Sequence, residues 1–154
     1  MKITDFLDQR AIKIGLTASD KEGILKELAD VLAEVKDIGD KRAIVKALLE
    51  RENLGSTGIG QGIAIPHGKT DRVNELVAVL GVSRKGVNFE ALDGEPVYII
   101  FLLVAPKDTA GPHLKALAQI SRLLRDSYFC ELIKRCQTPN EVYELIKHEE
   151  EKKH

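Results

Sequence analysis

The sequence predicts an α/β domain, a three-layer sandwich in which a mixed central β-sheet is flanked by helices. Two segments, residues 76–82 and 97–104, are apolar at nearly every position, so both faces of a strand there would be apolar. This pattern predicts central strands that are covered on each side. Between them, Asp93-Gly94 predicts a tight turn and therefore at least one antiparallel pairing. Helical periodicity before and after these strands predicts the outer layers.

The first third of the chain predicts one strand and two helices. Apolar residues alternate over 12–16, which is typical of a half-exposed strand. Ser19 and Glu22 have the spacing of a capping box and predict that a helix begins there. Asp40 predicts the N-cap of a second helix that ends near Arg51.

The last third predicts helices only, over residues 113–126, 129–136 and 139–148. After them the chain is strongly charged, so residues 149–154 are expected to form a frayed tail behind one domain spanning residues 1–148. His148 and His154 lie in or beside this tail and are expected to take no part in chemistry.

Composition excludes several classes of function. Lys plus Arg (23) nearly balances Asp plus Glu (24), which favours neither nucleic acid nor an anionic membrane as a partner. The longest apolar run, residues 97–105, is far short of the roughly 20 residues of a spanning helix, so no membrane insertion is expected. The start of the chain lacks a secretory pattern, so we expect a cytoplasmic protein with Cys130 and Cys136 reduced. Their spacing is not that of a zinc site, and no metal is predicted.

Residues 55–68 contain the candidate site. Five glycines make this segment unsuited to a helix and suited to close backbone approaches. A short strand over 63–65 leads to His67, where Pro66 stiffens the backbone and Gly68 removes bulk, so an imidazole is expected at an exposed strand end. A neutral imidazole is a nucleophile that can carry a phosphoryl group. From spacing alone, an ordinary surface histidine explains the pattern equally well.

Groups suited to a phosphoryl group occur nearby in the sequence. Ser56 and Thr57 supply hydroxyls, the glycine-rich run can expose amides, and Arg51 offers a planar fork of N–H donors. His113 is a second candidate, because it starts a predicted helix and shares its apolar face. Its ring is expected to face the protein body as a neutral donor of one hydrogen bond, and a structural, partly buried histidine is the alternative.

A nucleotide-binding loop is the other reading of this region. Gly62 and Gly68-Lys69-Thr70 resemble a P-loop, but five residues separate the glycines where the motif has four. Pro66 would also remove one of the amides that such a loop uses to bind phosphates. A nucleotide hydrolase is therefore disfavoured. A small protein that binds a nucleotide without hydrolysing it remains an alternative hypothesis.

The segment Arg51-Glu52 with residues 55–68 resembles the phosphohistidine segment of the fructose/mannitol-type enzyme IIA family of the bacterial phosphotransferase system (PTS). The likeness covers nearly the whole chain and includes residues 89–97 and the His113-Leu114 helix start. It implies an α/β fold, phosphorylation of His67 on Nε2 by the phosphocarrier protein HPr, a supporting role for His113, and no metal or organic cofactor. The phosphoryl-binding residues predicted on this basis are Arg51, Ser56, Thr57 and Gly68.

The resemblance leaves the pathway open. In transport members the phosphoryl group passes to a cysteine of an EIIB domain and then to a sugar during uptake. Members of the nitrogen-regulatory branch also resemble this chain in the glycine-rich run. They bind target proteins according to whether they themselves are phosphorylated. Residues 102–106 and 120–124 are closer to fructose-type members, so transport is the first expectation and regulation the alternative.

Overall fold

In the computed structural model, which describes residues 1–152, a mixed six-stranded β-sheet is flanked by helices, which confirms the predicted fold class. The strands are β1 (Ile12–Ile14), β2 (Gly58–Gly60), β3 (Ile63–Ala64), β4 (His67–Thr70), β5 (Val77–Val87) and β6 (Val97–Pro106). The α-helices are α1 (Lys21–Val35), α2 (Lys41–Glu52), α3 (Gly111–Leu124), α4 (Ser127–Arg135) and α5 (Pro139–Lys152). Two single-turn 3₁₀ helices, Ile3–Asp5 and Gln9–Ala11, precede β1.

The strand order is β1-β5-β6-β3-β2, and β4 also pairs with β6. β5 and β6 are antiparallel, whereas β1 pairs parallel to β5 and both β3 and β4 pair parallel to β6. The prediction of two central strands with an antiparallel pairing is thus confirmed. Successive residues of β5 and β6 are buried, and because they point to opposite faces, both faces of the sheet are covered there.

Close packing brings the first two helices against the sheet. Gly81 of β5 faces α1, where a Cβ atom would lie only 2.7 Å from the Leu16 side chain and 2.9 Å from that of Leu28. α2 contacts β4, while α3 and α4 contact β6 and α5 contacts β1. The helix that carries Arg51 therefore lies directly against the strand that carries His67.

The caps of α1 and α2 are both aspartates. The prediction of Ser19 as the cap of α1 was wrong, because the Asp20 carboxylate lies one residue closer and accepts from the Gly23 amide at 2.8 Å. A Cβ atom on Gly23 would lie 2.8 Å from that same oxygen, so the glycine makes room for the cap. The prediction of Asp40 as the cap of α2 is confirmed by its bond to the Arg42 amide at 2.9 Å.

The C-terminal helix is longer than expected. α5 continues through Lys152, and the Glu150 carboxylate accepts hydrogen bonds from the Ile3 and Thr4 amides. The expectation of a frayed tail was therefore wrong for residues 149–152, because contact with the N-terminal turn orders them. His148 is exposed on α5, His154 lies outside the described residues, and a domain boundary at residue 148 stays a prediction.

The two cysteines belong to the core. Cys130 and Cys136 are buried and unbonded to each other. Burial raises the pKa of the Cys130 thiol to about 11, which keeps it protonated and unreactive at neutral pH. No helix within residues 1–152 is long and apolar enough to cross a membrane.

Candidate functional site

His67 lies at an interruption in the pairing along β6. β3 and β4 follow the same edge of β6, and the break between them falls at Ile65 and Pro66. Pro66 has no N–H to donate, but its carbonyl accepts from the Leu103 amide at 2.9 Å, and pairing resumes with His67 opposite Leu103. The expectation of an exposed strand end was wrong: His67 begins a strand and is half-buried.

The hydrogen bond of the His67 ring determines which nitrogen is nucleophilic. Its Nδ1 lies 2.9 Å from the carbonyl oxygen of Ile65. A carbonyl only accepts, so Nδ1 must carry the proton and, in the neutral ring, Nε2 keeps its lone pair. Nε2 is therefore the ring nitrogen whose lone pair is available to a ligand.

An open cleft of about 350 Å³ surrounds this ring. The residues that line it are Ala47, Glu50, Arg51, Leu54, His67, Gly68, Lys69 and His113. The ring centres of His67 and His113 lie 5.6 Å apart with their planes 60° from each other. His113 is only 5% exposed, so its ring faces the protein body as the sequence predicted.

Both rings favour the neutral form. Burial lowers the pKa of His67, the Arg51 charge lowers it further, and the bond to Ile65 and the Glu52 carboxylate oppose the shift. Burial also lowers the pKa of His113, with smaller effects from His67 and Lys69. The Nδ1 atom of His113 is buried without a hydrogen-bond partner among residues 1–152, so this ring has hydrogen-bonding capacity to offer a ligand.

We expect these pKa shifts to appear in an NMR titration of the imidazole signals. Both histidines should protonate below the ordinary value of about 6.5. In the window just below that value the unfolded chain binds more protons than the folded one, so stability should rise with pH across it. Arg51→Gln should raise the pKa of His67, whereas Arg42→Gln at the exposed start of α2 should not. An unmoved His67 pKa in Arg51→Gln would contradict the assigned electrostatic contact.

Two cations reach the cleft. Arg51, in the last turn of α2, donates to the Gly55 carbonyl at 2.9 Å and keeps further N–H groups for an anion. Lys69 of β4 is the second cation, a residue whose sequence context had suggested only a P-loop. With Glu50 as the acidic residue of the cleft, the lining carries a net positive charge that suits an anionic group.

The structure brings only part of the predicted phosphoryl-binding set together. Gly68 lines the cleft, and a Cβ atom there would lie 3.4 Å from the backbone of Ala47 on α2. Ser56 and Thr57 do not line it. The Ser56 oxygen accepts from the Gly58 amide at 3.0 Å, and the buried Thr57 hydroxyl donates to the Glu52 carboxylate.

Neither Glu52 nor Lys21 was predicted from the sequence as a site residue. Glu52 is 6% exposed and forms an ion pair with Lys21, whose Nζ lies 3.1 Å from the carboxylate. The sequence places the Glu52 carboxylate directly after Arg51, but nothing in the spacing indicates that this carboxylate is buried. The described residues contain no cluster of His, Cys, Asp and Glu side chains able to hold a metal ion.

Residues 5–149 match the model of one protein family, described as phosphoenolpyruvate-dependent sugar phosphotransferase system, EIIA 2. The chain belongs to this family. The match spans the whole sheet, the cleft and nearly all of α5, so the resemblance noted from the glycine-rich segment and His113 extends over the entire site.

Both branches of this EIIA family occur among its relatives. A nitrogen regulatory protein of Bradyrhizobium diazoefficiens is 38% identical, and the match covers 95% of this chain and 95% of that protein. The fructose-specific EIIABC component of Bacillus subtilis is 35% identical over 95% of this chain, which spans only 23% of that longer protein. The crystal structure of the nitrogen regulatory protein IIA-Ntr from Neisseria meningitidis superposes with a TM-score of 0.86 at 30% identity, covering 94% of this chain and 98% of that one.

The P-loop interpretation has no support in this EIIA fold. Gly68, Lys69 and Thr70 lie within β4 and pair with β6. In a P-loop the corresponding residues lead into a helix whose amides bind phosphate. A nucleotide site at this position was therefore the wrong hypothesis.

Proposed function

We propose that this EIIA domain accepts a phosphoryl group from phospho-HPr on Nε2 of His67 and passes it to a protein acceptor in the cytoplasm. The observation that carries the proposal is the Nδ1–H bond to the Ile65 carbonyl, which leaves Nε2 unprotonated. Neutrality of the ring at physiological pH and two cations in the cleft support it.

The transfer conserves atoms and electrons without a cofactor. The Nε2 lone pair forms the N–P bond while the bond joining phosphorus to the donor breaks, and its electron pair stays with the donor. The ring then carries positive charge, and its Nδ1–H continues to donate to Ile65. Arg51 and Lys69 offset the charge on the phosphoryl oxygens, and His113 donates one hydrogen bond to them.

The acceptor in the transport pathway is a cysteine of an EIIB domain. Its thiolate attacks phosphorus, an S–P bond forms, and the N–P electron pair returns to Nε2. The Bacillus subtilis relative supports this pathway, because its name assigns A, B and C components to one fructose-specific protein. Sugar uptake and phosphorylation of the fructose/mannitol type would follow.

Intact-mass spectrometry tests the proposal. The protein is incubated with phosphoenolpyruvate, enzyme I and HPr under mildly basic conditions, which preserve phosphohistidine, and then with EIIB or an EIIB lacking its cysteine. We expect one phosphoryl group on this protein and its loss only to intact EIIB. No addition from active donors would refute phosphoryl acceptance itself.

A regulatory role is the second candidate. It is favoured by the nitrogen regulatory relative, which is 38% identical over 95% of both chains. In this role the charge added at the cleft switches binding of target proteins. Affinity capture with phosphorylated and unmodified protein distinguishes the two forms, and identical partner sets would refute regulation.

His113→Ala is expected to slow phosphoryl acceptance or shorten the lifetime of the phosphoprotein. The ring lies 5.6 Å from that of His67, and its removal takes away one donor to the phosphoryl oxygens. Loss of such a donor typically costs about 100-fold or more in rate. Single-turnover transfer from phospho-HPr and the decay of the phosphoprotein measure the effect. Unchanged values for both would assign His113 a purely structural role.

A further inference from the structure

A buried ion pair joins the start of α1 to the end of α2 beside His67. The side chain of Glu52 is 2% exposed and that of Lys21 is 13% exposed, with 3.1 Å between carboxylate and ammonium. The Lys21 ammonium also lies 5.1 Å from the centre of the buried Phe89 ring. Because removing charges from water costs several kcal/mol per ion, such a pair persists only where further hydrogen bonds satisfy it.

Those further bonds come from Thr57. Its backbone amide donates to one oxygen of the Glu52 carboxylate at 3.1 Å, and its hydroxyl donates to the other. One buried carboxylate therefore holds both the main chain and the side chain of Thr57. Two of the hydrogen bonds that position Thr57 therefore come from α2.

Two more hydrogen bonds continue from Thr57 to the reactive ring. The Thr57 carbonyl accepts from the Ile65 amide at 3.0 Å, and the Ile65 carbonyl accepts from Nδ1 of His67 at 2.9 Å. The two bonds act on opposite ends of Ile65, immediately before the break in pairing at Pro66. A continuous chain of contacts thus runs from Glu52 to His67.

We propose that Glu52, paired with Lys21, is a positioning residue that holds the Ile65 carbonyl against Nδ1 and so keeps Nε2 of His67 available for the phosphoryl group. This inference rests on the proposed function. The carboxylate also stabilises positive charge on the His67 ring, since it raises the pKa of that ring against the effect of burial. The ring gains such charge when Nε2 bonds to phosphorus, so Glu52 assists the step as well as the geometry.

The double variant Glu52→Gln/Lys21→Met tests the inference, because it removes both charges and leaves neither buried ion unpaired. Nitrogen NMR of the unphosphorylated protein reports the tautomer and pKa of His67, and single-turnover kinetics with phospho-HPr report rate and KM. We expect less Nδ1–H tautomer, a lower His67 pKa, and a maximal rate about 10- to 100-fold lower at unchanged KM. The matched control is Lys36→Met/Glu75→Gln, which removes an exposed pair 2.9 Å apart and should change none of these values.

Unchanged tautomer, pKa and rate in the double variant would overturn the inference, as would a change in KM alone. If the wild type accepts no phosphoryl group, the proposed function fails, while the NMR readouts still decide whether Glu52 positions His67. Should the double variant not fold, Thr57→Val takes its place, since it removes the hydroxyl bond and keeps the amide bond to Glu52. It should shift the tautomer and rate in the same directions by smaller amounts, and no shift would again overturn the inference.

Discussion

His67→Ala is expected to abolish phosphoryl acceptance completely. Alanine has no lone pair to attack phosphorus. The neighbouring His113 is buried, and within residues 1–152 its Nδ1 has no hydrogen-bond partner to fix its tautomer. The free energy of unfolding should change by only about 1 kcal/mol, because the ring is half-buried and makes one hydrogen bond, to Ile65. Intact-mass spectrometry after incubation with phosphoenolpyruvate, enzyme I and HPr measures the first effect, and denaturant unfolding measures the second.

His148→Ala is the matched control, since it removes an exposed histidine from α5, an element that contributes no residue to the cleft. This variant should accept one phosphoryl group at the wild-type rate. Phosphorylation of His67→Ala at the wild-type level would place the acceptor elsewhere. Loss of its fold would mean that the ring contributes more to packing than its exposure indicates.

Lys21→Met is expected to cause the largest loss of stability among the variants of the site, about 3 to 5 kcal/mol. It leaves the carboxylate of Glu52 buried with only the two donors of Thr57. Adding Glu52→Gln should recover most of this loss, because a neutral amide needs no counter-ion. Denaturant unfolding of the wild type, both single variants and the double variant completes the thermodynamic cycle.

Lys36→Met is the control for this prediction. It removes the lysine of an exposed ion pair with Glu75, whose contribution should be at most about 1 kcal/mol. A loss in Lys21→Met no greater than that in Lys36→Met would contradict the importance of the buried pair. Failure of Glu52→Gln to recover stability would show that the lysine acts through packing on Phe89 instead.

Local patterns were sufficient to predict most elements of the fold. Alternation of apolar residues identified β5 and β6 as central strands, and Asp40 identified the start of α2. These signals work because side-chain periodicity and capping depend on neighbours within a few residues. Competing short-range signals were less reliable: Ser19 and Asp20 both suit an N-cap, and only the bond to Gly23 distinguishes them.

The candidate site was predictable where chemistry is carried by residue type and was not predictable where it depends on contacts between distant segments. His67, with Pro66 and Gly68 beside it, marked the candidate position from the sequence, and the family likeness placed His113 near it. The spacing could not show that pairing with β6 resumes at His67, because strand pairing is decided by a segment far along the chain.

The sequence by itself determined the fold class, the family of this protein and the histidine we propose as the phosphoryl acceptor. Only the tertiary structure decided the tautomer of His67, the burial of Glu52 against Lys21, and the commitment of the Thr57 hydroxyl to that carboxylate. The physical reason is that burial and hydrogen-bond partners arise when α1 packs on α2, α2 packs on β4, and β4 pairs with β6. The same residue types in an exposed loop would be solvated, and no fixed hydrogen bond would select the tautomer of the histidine ring.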